Sequence, residues 1–522
     1  MNIDNIPMDL QSDLQKHPTV VTRSLVPLDN SVKGSRLFGF YSTFIMFVGR
    51  MFGSGIFATP GLVMKNANGF YTIYMLLWLI GAGIAYTGLL LYLELGSYLP
   101  VNGATKVFLE YIYPNPAYMT TVVFSVFTIL FSFSSTNALV FGEYIRYSFA
   151  LPSDEISNRN IACLLIVCST LLHLFSKRCG LIAQNVLGTL KLGLIVFIIL
   201  VCSYALLLPE SVSHLQNQFS KEDFRIPELK EIQWMYYSAA VLKCIQSFGG
   251  WTTCHIFQNE IRNPIETLSK AGPLALGTIF LLYSMLNLTY LKLLPKDEFF
   301  NSDQLVGALL FGRIFGSTLG SRLMSSIIAL SSATNVIIVV YTDSIMNQEI
   351  FKEGFLPFSN ILCSNYPFGT PCGGLIIHCI ASCAIMYIPK RRIYDTIISV
   401  QYYPNQLFHA LLCLGLLFKV RRRFGNIRAP IRAPTVCIYI CLFGSLSVVL
   451  SPFLAQHFRF TLASYAALSV GFFYWLIAFR LLPFFCHFEY RSLLAEKNDG
   501  LIYRYFVRDY GTNIQTESSP CI

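Results

Sequence analysis

The stretch that decides the fold is Gly49–Phe57, which reads GRMFGSGIF and lies inside an apolar segment of about residues 38–64. Glycine is unfavourable in helix interiors, and unwound backbone is tolerated at membrane depth only where it lines a cavity. The glycines on both sides of Ser54 therefore predict a helix that breaks in mid-membrane. The half-helix that follows offers free amides and a positive dipole end to an anion such as a carboxylate. The alternative interpretation is a small-residue face for helix packing.

A second break is predicted in the apolar segment of about residues 234–259, where Gln246–Thr252 reads QSFGGWT. Unwinding at the tandem glycines would turn carbonyls toward the cavity, where they could accept hydrogen bonds from an ammonium group. Breaks at equivalent positions in two halves of a chain indicate a secondary-transporter site between inverted repeats. Amides at one break and carbonyls at the other suit a zwitterion, and so an α-amino acid.

The composition places both breaks in a membrane protein. The chain has 522 residues, of which 54% are hydrophobic and 13% are charged, whereas a soluble globular protein carries about 25% charged residues. A water-soluble particle and a disordered chain are both excluded. The net charge of +10 does not indicate a nucleic-acid partner, because basic residues collect in the cytoplasmic loops of membrane proteins.

Twelve apolar segments are long enough for the roughly 20 residues that a spanning helix needs. They lie near residues 38–64, 70–98, 118–149, 160–176, 181–209, 234–259, 270–293, 321–346, 368–388, 393–419, 434–454 and 461–485. An even number places both termini on one side, and the basic loops make that side cytoplasmic, although Lys390–Arg392 disagrees. Residues 1–36 and 486–522 are predicted to be cytoplasmic tails around a transporter domain at 37–485.

Lys191 is the first candidate for ion coupling. It lies in the fifth apolar segment, about 15 Å along a helix from Leu181, and an intramembrane lysine is costly enough to be a functional candidate. It could gain and lose a proton during transport. The alternative is a lysine that reaches the membrane interface. Glu94 lies near a helix end, where a structural or gating role is favoured.

Other kinds of chemistry find little support in the sequence. We find no phosphate-binding loop, zinc signature or nucleophile elbow, so we expect no enzyme activity, no cofactor and no metal. The i,i+4 cysteine pairs offer fewer than the four ligands of a structural zinc site. A channel would need rings of polar or charged side chains along a pore, and no repeated polar stripe is visible.

The motifs at the two breaks resemble the amino acid–polyamine–organocation superfamily. Gly53–Phe57 resembles its GSGIF signature, and Phe248–Trp251 with Glu260–Pro264 is similar to its sixth-helix signature. More narrowly, Asn347–Phe358, which reads NQEIFKEGFLPF, resembles the fungal methionine permeases of the low-affinity type. Residues Leu305–Gly307, Asn405, Gln406 and Asp499–Ile502 share that narrower resemblance.

The resemblance implies an all-α membrane protein with twelve transmembrane helices, a LeuT-type five-plus-five inverted repeat, and broken first and sixth helices. It implies that amides of Gly53, Ser54 and Gly55 bind the substrate carboxylate, that carbonyls of Met51, Phe248 and Gly249 bind its amine, and that Lys191 acts in coupling with Ser331 and Ser332. Ile56 and Trp251 complete the predicted binding residues; Trp251 beside the second break is either a core residue or a gate, and a gate is favoured. In sodium-independent relatives the matching lysine stands in for a sodium ion.

The expected function is a plasma-membrane permease that imports methionine, or another large neutral amino acid, together with protons and without an obligate protein partner. Thr252 and Gln246 depart from the patterns of relatives and leave the side-chain specificity open, so a permease for a different amino acid is one alternative. A non-transporting amino acid sensor on the same scaffold is the other. Sensors usually carry long cytoplasmic extensions, and the two tails of this chain are short.

Overall fold

The computed structural model describes residues 36, 38–53, 55–152, 154–207, 224–226, 234–302, 306–316, 319–388, 393–423, 429–454, 458–497 and 500–510. Ser54 and the basic group Lys390–Arg392 lie outside the described residues, as do most of both tails. The described chain is a bundle of helices with one β-hairpin at its C-terminal end.

The helices, in chain order, are α1 (Phe40–Met51), α2 (Gly55–Ala58), α3 (Pro60–Asn66), α4 (Tyr71–Tyr98), α5 (Thr105–Ile112), α6 (Met119–Phe131), α7 (Ser135–Ser148), α8 (Glu155–Phe175), α9 (Lys177–Leu207), α10 (Trp234–Ser247), α11 (Pro264–Leu293), α12 (Lys296–Phe300), α13 (Val306–Phe315), α14 (Leu319–Phe351), α15 (Ser359–Leu362), α16 (Cys372–Met386), α17 (Ile393–Gly415), α18 (Arg421–Arg423), α19 (Thr435–Leu454), α20 (Phe458–Leu476) and α21 (Leu482–Cys486). The strands are β1 (Glu489–Glu496) and β2 (Ile502–Asp509).

Eight helical segments among the described residues are long and apolar enough to cross a membrane, and three further apolar helices are shorter. The protein is therefore a multi-pass membrane protein. Each of the twelve predicted segments contains helix, but the count of twelve spans and the inverted repeat stay predictions. Lipid-facing helices carry large exposed apolar side chains, such as Leu164 in α8 and Leu200 in α9.

The two predicted breaks are present, and their geometry differs from the prediction in one respect. The first span stops at Met51 and resumes at Gly55. The helix of the sixth span ends at Ser247, inside the predicted break at Gln246–Thr252, and the chain continues in two 3₁₀ turns instead of resuming a helix toward about residue 259. Gly250 explains why the helix ends here, because its φ of 113° belongs to a backbone region that side-chain-bearing residues rarely adopt.

The third span contains a break that the sequence analysis did not predict. Helix α6 ends at Phe131 and α7 begins at Ser135, although we had predicted continuous helix over 118–149. Ser132 is extended, with φ of −87° and ψ of 104°. Serine hydroxyls compete with the backbone for hydrogen bonds, and both serines in this break bond to side chains of other helices.

The C-terminal hairpin is the one strand pair that the structure describes, in a segment that the sequence analysis treated as a tail. Strands β1 and β2 pair antiparallel, from Glu489 opposite Asp509 to Glu496 opposite Ile502. The Arg504 amide donates to the Lys352 carbonyl at 2.7 Å. Gly354 permits this close approach, because a Cβ atom there would lie 2.3 Å from the Arg504 carbonyl oxygen.

A cluster of buried charges holds the hairpin against the bundle. One Glu353 oxygen accepts a hydrogen bond from the Lys106 ammonium at 2.6 Å, and the other forms an ion pair with the Arg504 guanidinium at 3.0 Å. Arg504 also lies 3.6 Å from Glu110 of α5. The hairpin, the end of α14 and α5 are therefore joined by ion pairs, and α5 follows the end of α4.

The pKa values of two carboxyl groups in this cluster are shifted in opposite directions. Burial and the Glu353 carboxylate raise the pKa of Glu110 to about 7, although 23% of its side chain is exposed. Burial alone would raise the pKa of Glu353, but Lys106 and Arg504 outweigh it and lower this pKa. Glu353 therefore stays ionised between pH 6 and 8, while Glu110 titrates.

Glu94 has the structural role that its place at a helix end suggested. Its carboxylate is fully buried and accepts two hydrogen bonds from the Arg421 guanidinium, at 2.9 and 2.7 Å. It also accepts the Ala433 amide at 2.8 Å. Such bidentate pairs are strong and geometrically specific, so this one fixes the end of α4 against α18.

Attachment of the hairpin should weaken as the pH rises through about 7. A raised carboxyl pKa stabilises the folded state below the unfolded value, and this contribution is lost as the pH passes the folded value. We expect the β2 amides, corrected for intrinsic exchange, to exchange hydrogen faster at pH 8 than at pH 6. Glu110→Gln should remove most of this difference, and Glu489→Gln on the exposed hairpin surface should retain it. An equal difference in both variants would contradict the assignment to Glu110.

Candidate substrate site

The end of α1 leaves backbone carbonyls without helical partners in the middle of the bundle. The last carbonyls of any helix have no hydrogen-bond donor within that helix. Here, side chains of three other helices donate to them. The pairs are Lys191 with Gly49, Asn335 with Arg50, Tyr283 with Met51 and Ser331 with Phe52, at 2.8, 2.6, 3.0 and 3.3 Å. The first break is therefore held open by specific bonds from α9, α11 and α14.

Lys191 contributes the positive charge to this arrangement. The side chain is buried, and its ammonium donates to the Gly49 carbonyl at 2.8 Å and to the Ser331 carbonyl at 2.9 Å. It also lies 5.4 Å from the centre of the Phe52 ring. A cation at a helix C-terminus is favoured by the helix dipole. The structure thus brings Lys191 and Ser331 together, whereas the Ser332 hydroxyl has no hydrogen-bond partner among the described residues.

Arg50 lies beside the break and was given no role in the sequence analysis. One of its guanidinium nitrogens donates to Asn335 Oδ1 at 3.3 Å, and Asn137 Nδ2 donates to the same oxygen at 2.9 Å. A Cβ atom on Gly53 would lie 3.0 Å from Asn137 and 3.2 Å from Asn335. These amide side chains therefore enclose the unwound backbone and hold Arg50 at its edge.

The two breaks contact each other directly. The Tyr283 hydroxyl lies 3.0 Å from both the Met51 and the Ser247 carbonyl oxygens, so its single hydrogen is shared between the two breaks. The Thr59 and Ser247 hydroxyls are 3.0 Å apart. Gly55 packs so closely that a Cβ atom would lie 2.8 Å from Ser247 Cα. The spans must therefore adopt their broken forms together.

A cavity of roughly 210 Å³ lies against both breaks. Five of the predicted binding residues line it: Met51, Gly53, Gly55, Gly249 and Trp251. Phe248 and Ile56 are buried outside this lining; the Phe248 ring packs on Tyr283, and the Ile56 carbonyl accepts from Tyr290 at 3.2 Å. Ser54 lies outside the described residues, so its predicted amide contact stays a prediction.

Two predicted binding atoms have partners within the protein in this conformation. The Gly53 amide donates to the Met51 carbonyl at 2.9 Å, and the same carbonyl faces Tyr283. The Gly249 amide donates to the Gln246 carbonyl at 2.9 Å, and Gly249 lines the cavity. Trp251 lies against Tyr92, edge to face, and against a tilted His409 ring, with ring centres 5.2 Å apart in each case. The three rings form one side of the cavity.

The cavity also contains polar residues that sequence reasoning missed. Arg50 and Asp343 are the charged residues of its described lining, and Asn335, Gln246 and Tyr402 add hydrogen-bonding groups. A sequence clue existed for the charged pair, because an ionisable residue inside an apolar span is a functional candidate by default. The asparagine and the glutamine gave no comparable indication, since their role depends on helix packing.

Comparisons with known proteins show which family the chain resembles. The family model for amino acid permeases matches residues 38–481. The low-affinity methionine permease of Saccharomyces cerevisiae is 34% identical over 490 residues, which cover 91% of this chain and 88% of the relative. The high-affinity methionine permease of the same yeast is 27% identical over 81% of this chain and 73% of the relative. The b(0,+)-type amino acid transporter 1 of Mus musculus is 24% identical over 80% and 82%.

Gly55→Val should abolish uptake of the substrate. The added side chain would start 2.8 Å from the Ser247 backbone, and overpacking of this kind costs about 1–3 kcal/mol. We expect initial uptake to fall about tenfold or more, measured with radiolabelled amino acid in cells that show equal surface protein. Gly83→Val is the matched control, since a Cβ atom at Gly83 meets nothing within 4 Å. Normal uptake by Gly55→Val would exclude a substrate site at the contact between the breaks.

Proposed function

The chain belongs to the amino acid permease family, and we propose on this premise that it imports methionine across the plasma membrane together with protons. The observation that supports the proposal best is the cavity that touches both breaks, with unwound backbone from α1–α2 on one side and from the end of α10 on the other. Backbone groups of two broken helices suit the two charged ends of an α-amino acid.

The proposed binding mode places the substrate between the breaks. The carboxylate faces the start of α2 at Gly55, with the predicted amides of Gly53 and Ser54 beside it and the positive charge of Arg50 on the same wall. The ammonium group faces the carbonyls of Gly249 and Phe248. Binding in this mode requires a rearrangement near Gly53, because its amide bonds to Met51 in the structure.

The side chain of the substrate would then extend toward the aromatic part of the cavity. Phe124, Phe127 and Phe131 of α6 line that part, together with Ile245 and Trp251. A thioether makes favourable contacts with aromatic rings, which supports methionine over a smaller neutral amino acid. The similarity to two yeast proteins named methionine permeases supports the same choice. We propose that the chain works without an obligate protein partner.

Lys191 supports the proton-coupled part of the proposal. Its ammonium group donates hydrogen bonds to the carbonyls of Gly49 in α1 and Ser331 in α14, and so bridges these two helices. Loss of a proton would remove the charge and leave fewer donors for these carbonyls, so its protonation would be linked to the shape of the first break.

Lys191→Met should stop transport or flatten its pH dependence while keeping the volume of the side chain. The variant leaves the Gly49 carbonyl with only the 3.4 Å contact from Asn335, and an unsatisfied buried group costs about 1–3 kcal/mol. The measurement is initial uptake from pH 5 to pH 7.5 at equal surface expression. Lys270→Met is the control, because Lys270 is exposed and its partner is Glu266, one turn away on the same helix surface. An unchanged pH profile in Lys191→Met would make this lysine purely structural.

Methionine uptake at two pH values separates the proposal from its rivals. We expect a fungal strain that lacks its own permeases to take up radiolabelled methionine when it expresses this chain, faster at pH 5 than at pH 7. Unlabelled methionine should compete better than other amino acids. Stronger competition by a different amino acid would contradict methionine as the substrate, but it would leave the proposed transport mechanism unchanged. If the protein is at the cell surface and no amino acid tested is taken up, this result would contradict a transport function and favour a non-transporting amino acid sensor.

A further inference from the structure

The break in the third span carries a polar network that the proposed binding mode does not use. Between α6 and α7, the Ser132 hydroxyl donates to Asp343 Oδ2 at 2.7 Å. The Phe133 carbonyl accepts Gln401 Nε2 at 3.0 Å, and the Ser134 hydroxyl lies 3.2 Å from His378 Nε2. The break therefore joins α14, α16 and α17 through side chains, and it includes a carboxylate and an imidazole.

Asp343 faces the substrate cavity. It is the one carboxylate in the described lining, and 17% of its side chain is exposed. Its only ion-pair neighbour within 4 Å among the described residues is His378, whose Nδ1 lies 3.8 Å from Oδ2. A carboxylate that water can reach from the cavity, without a permanent cation against it, can exchange a proton with that water.

His378 lies behind Asp343, away from the cavity. Its side chain is fully buried, and Nε2 is within 3.2 Å of the Ser134 hydroxyl and 3.4 Å of the Ser382 hydroxyl. If those hydroxyls donate to Nε2, the imidazole carries its hydrogen on Nδ1 and directs it toward Asp343. Nδ1 has no hydrogen-bond partner among the described residues, so its 3.8 Å approach to Asp343 Oδ2 is an electrostatic contact rather than a hydrogen bond. His378 is therefore placed to position the carboxylate.

The other titratable or charged groups around Asp343 belong to the cavity wall. Arg50 of α1 bonds to Asn335, which precedes Asp343 on α14 by two turns, or about 12 Å of rise. Tyr402 of α17 shares the wall, and its hydroxyl lies 3.6 Å from where a Gly249 Cβ atom would stand. Asp343, Tyr402 and Gly249 line the same cavity, so a substrate bound there lies near all three.

We propose that Asp343 is the carboxylate that binds and releases the transported proton, with His378 as its positioning residue. This inference rests on the proposed proton symport and names the group that performs it. Closing the cavity around a charged carboxylate would remove it from water without a paired cation, which is unfavourable. Binding of one proton makes Asp343 neutral, so the cavity closes more readily when both proton and zwitterion are bound.

The proton balance of a cycle is simple. On the outer side, Asp343 takes one proton from water that enters the open cavity and becomes a carboxylic acid. After the cavity opens to the cytoplasm, the acid returns one proton to water and becomes a carboxylate again, as the substrate leaves. No other bond forms or breaks, and one positive charge crosses the membrane with each neutral amino acid.

Asp343→Asn in proteoliposomes tests the assignment. The purified full chain is reconstituted, and accumulation of radiolabelled L-methionine is measured with an inward-directed gradient of one pH unit. With the membrane potential clamped at zero, symport of one proton supports about tenfold accumulation under that gradient. We expect the wild type and the control Asp297→Asn, which changes an exposed aspartate of α12, to approach this ratio. We expect Asp343→Asn to reach a ratio near one and to show no proton uptake.

Further measurements separate a coupling role from a folding defect. Counterflow of methionine at equal pH shows whether Asp343→Asn still binds and moves the substrate. If Asp343→Asn also loses counterflow, the variant Asp343→Glu, which keeps a carboxyl group, is measured next. Accumulation by this variant with a shifted pH profile supports the assignment, and loss of accumulation overturns it. His378→Gln should shift the pH midpoint of accumulation while accumulation itself persists; an unchanged midpoint would overturn its positioning role.

The outcomes also distinguish this inference from the proposed function. Wild-type protein that exchanges methionine but ignores the pH gradient would contradict proton symport, and the inference would fall with it. Wild-type protein without methionine exchange would contradict the proposed substrate. If the wild type couples to the gradient and Asp343→Asn couples equally well, the proposed function stands and Asp343 is not its proton site.

Discussion

The backbone carbonyls of Gly49–Phe52 end α1 inside the bundle, and each one accepts a hydrogen bond from a side chain of another helix. Unwound backbone at membrane depth is stable only with such partners. The donors belong to α9, α11 and α14, so the first break requires the packing of three distant helices. The cavity, the position of Arg50 and the contact between the two breaks all depend on this set of bonds.

The proposed function depends on the space between the two breaks and on the titratable groups beside it. Tyr283 links the first break to Ser247 at the second, which keeps a zwitterion-sized space between them. In the proposed mechanism, Lys191 links the shape of the first break to a proton, and Asp343 is a second candidate proton site on the cavity wall. A substrate and a proton can therefore act on the same few helices, which is the physical requirement for coupled transport.

Much of this arrangement could be predicted from the sequence, because glycines in apolar segments have few structural meanings. Both breaks and the burial of Lys191 were predicted from Gly53, Gly55, Gly249 and the apolar residues around position 191. The third break was not, since Ser132 and Ser134 resemble ordinary helix residues until their partners in α14 and α16 are known. The hairpin was also missed, because its attachment depends on Arg504 meeting Glu353, residues far apart in the chain.

The central claim is that an α-amino acid binds between the two broken helices through backbone groups. An experimental structure of the full chain with bound L-methionine tests it most directly. The account predicts density for the carboxylate at the start of α2 near Gly55 and for the ammonium group at the Gly249 carbonyl, with the thioether against Phe127 and Phe131. Density with the ammonium group on Asp343 and the carboxylate out of hydrogen-bond reach of the Gly53–Gly55 backbone would contradict it.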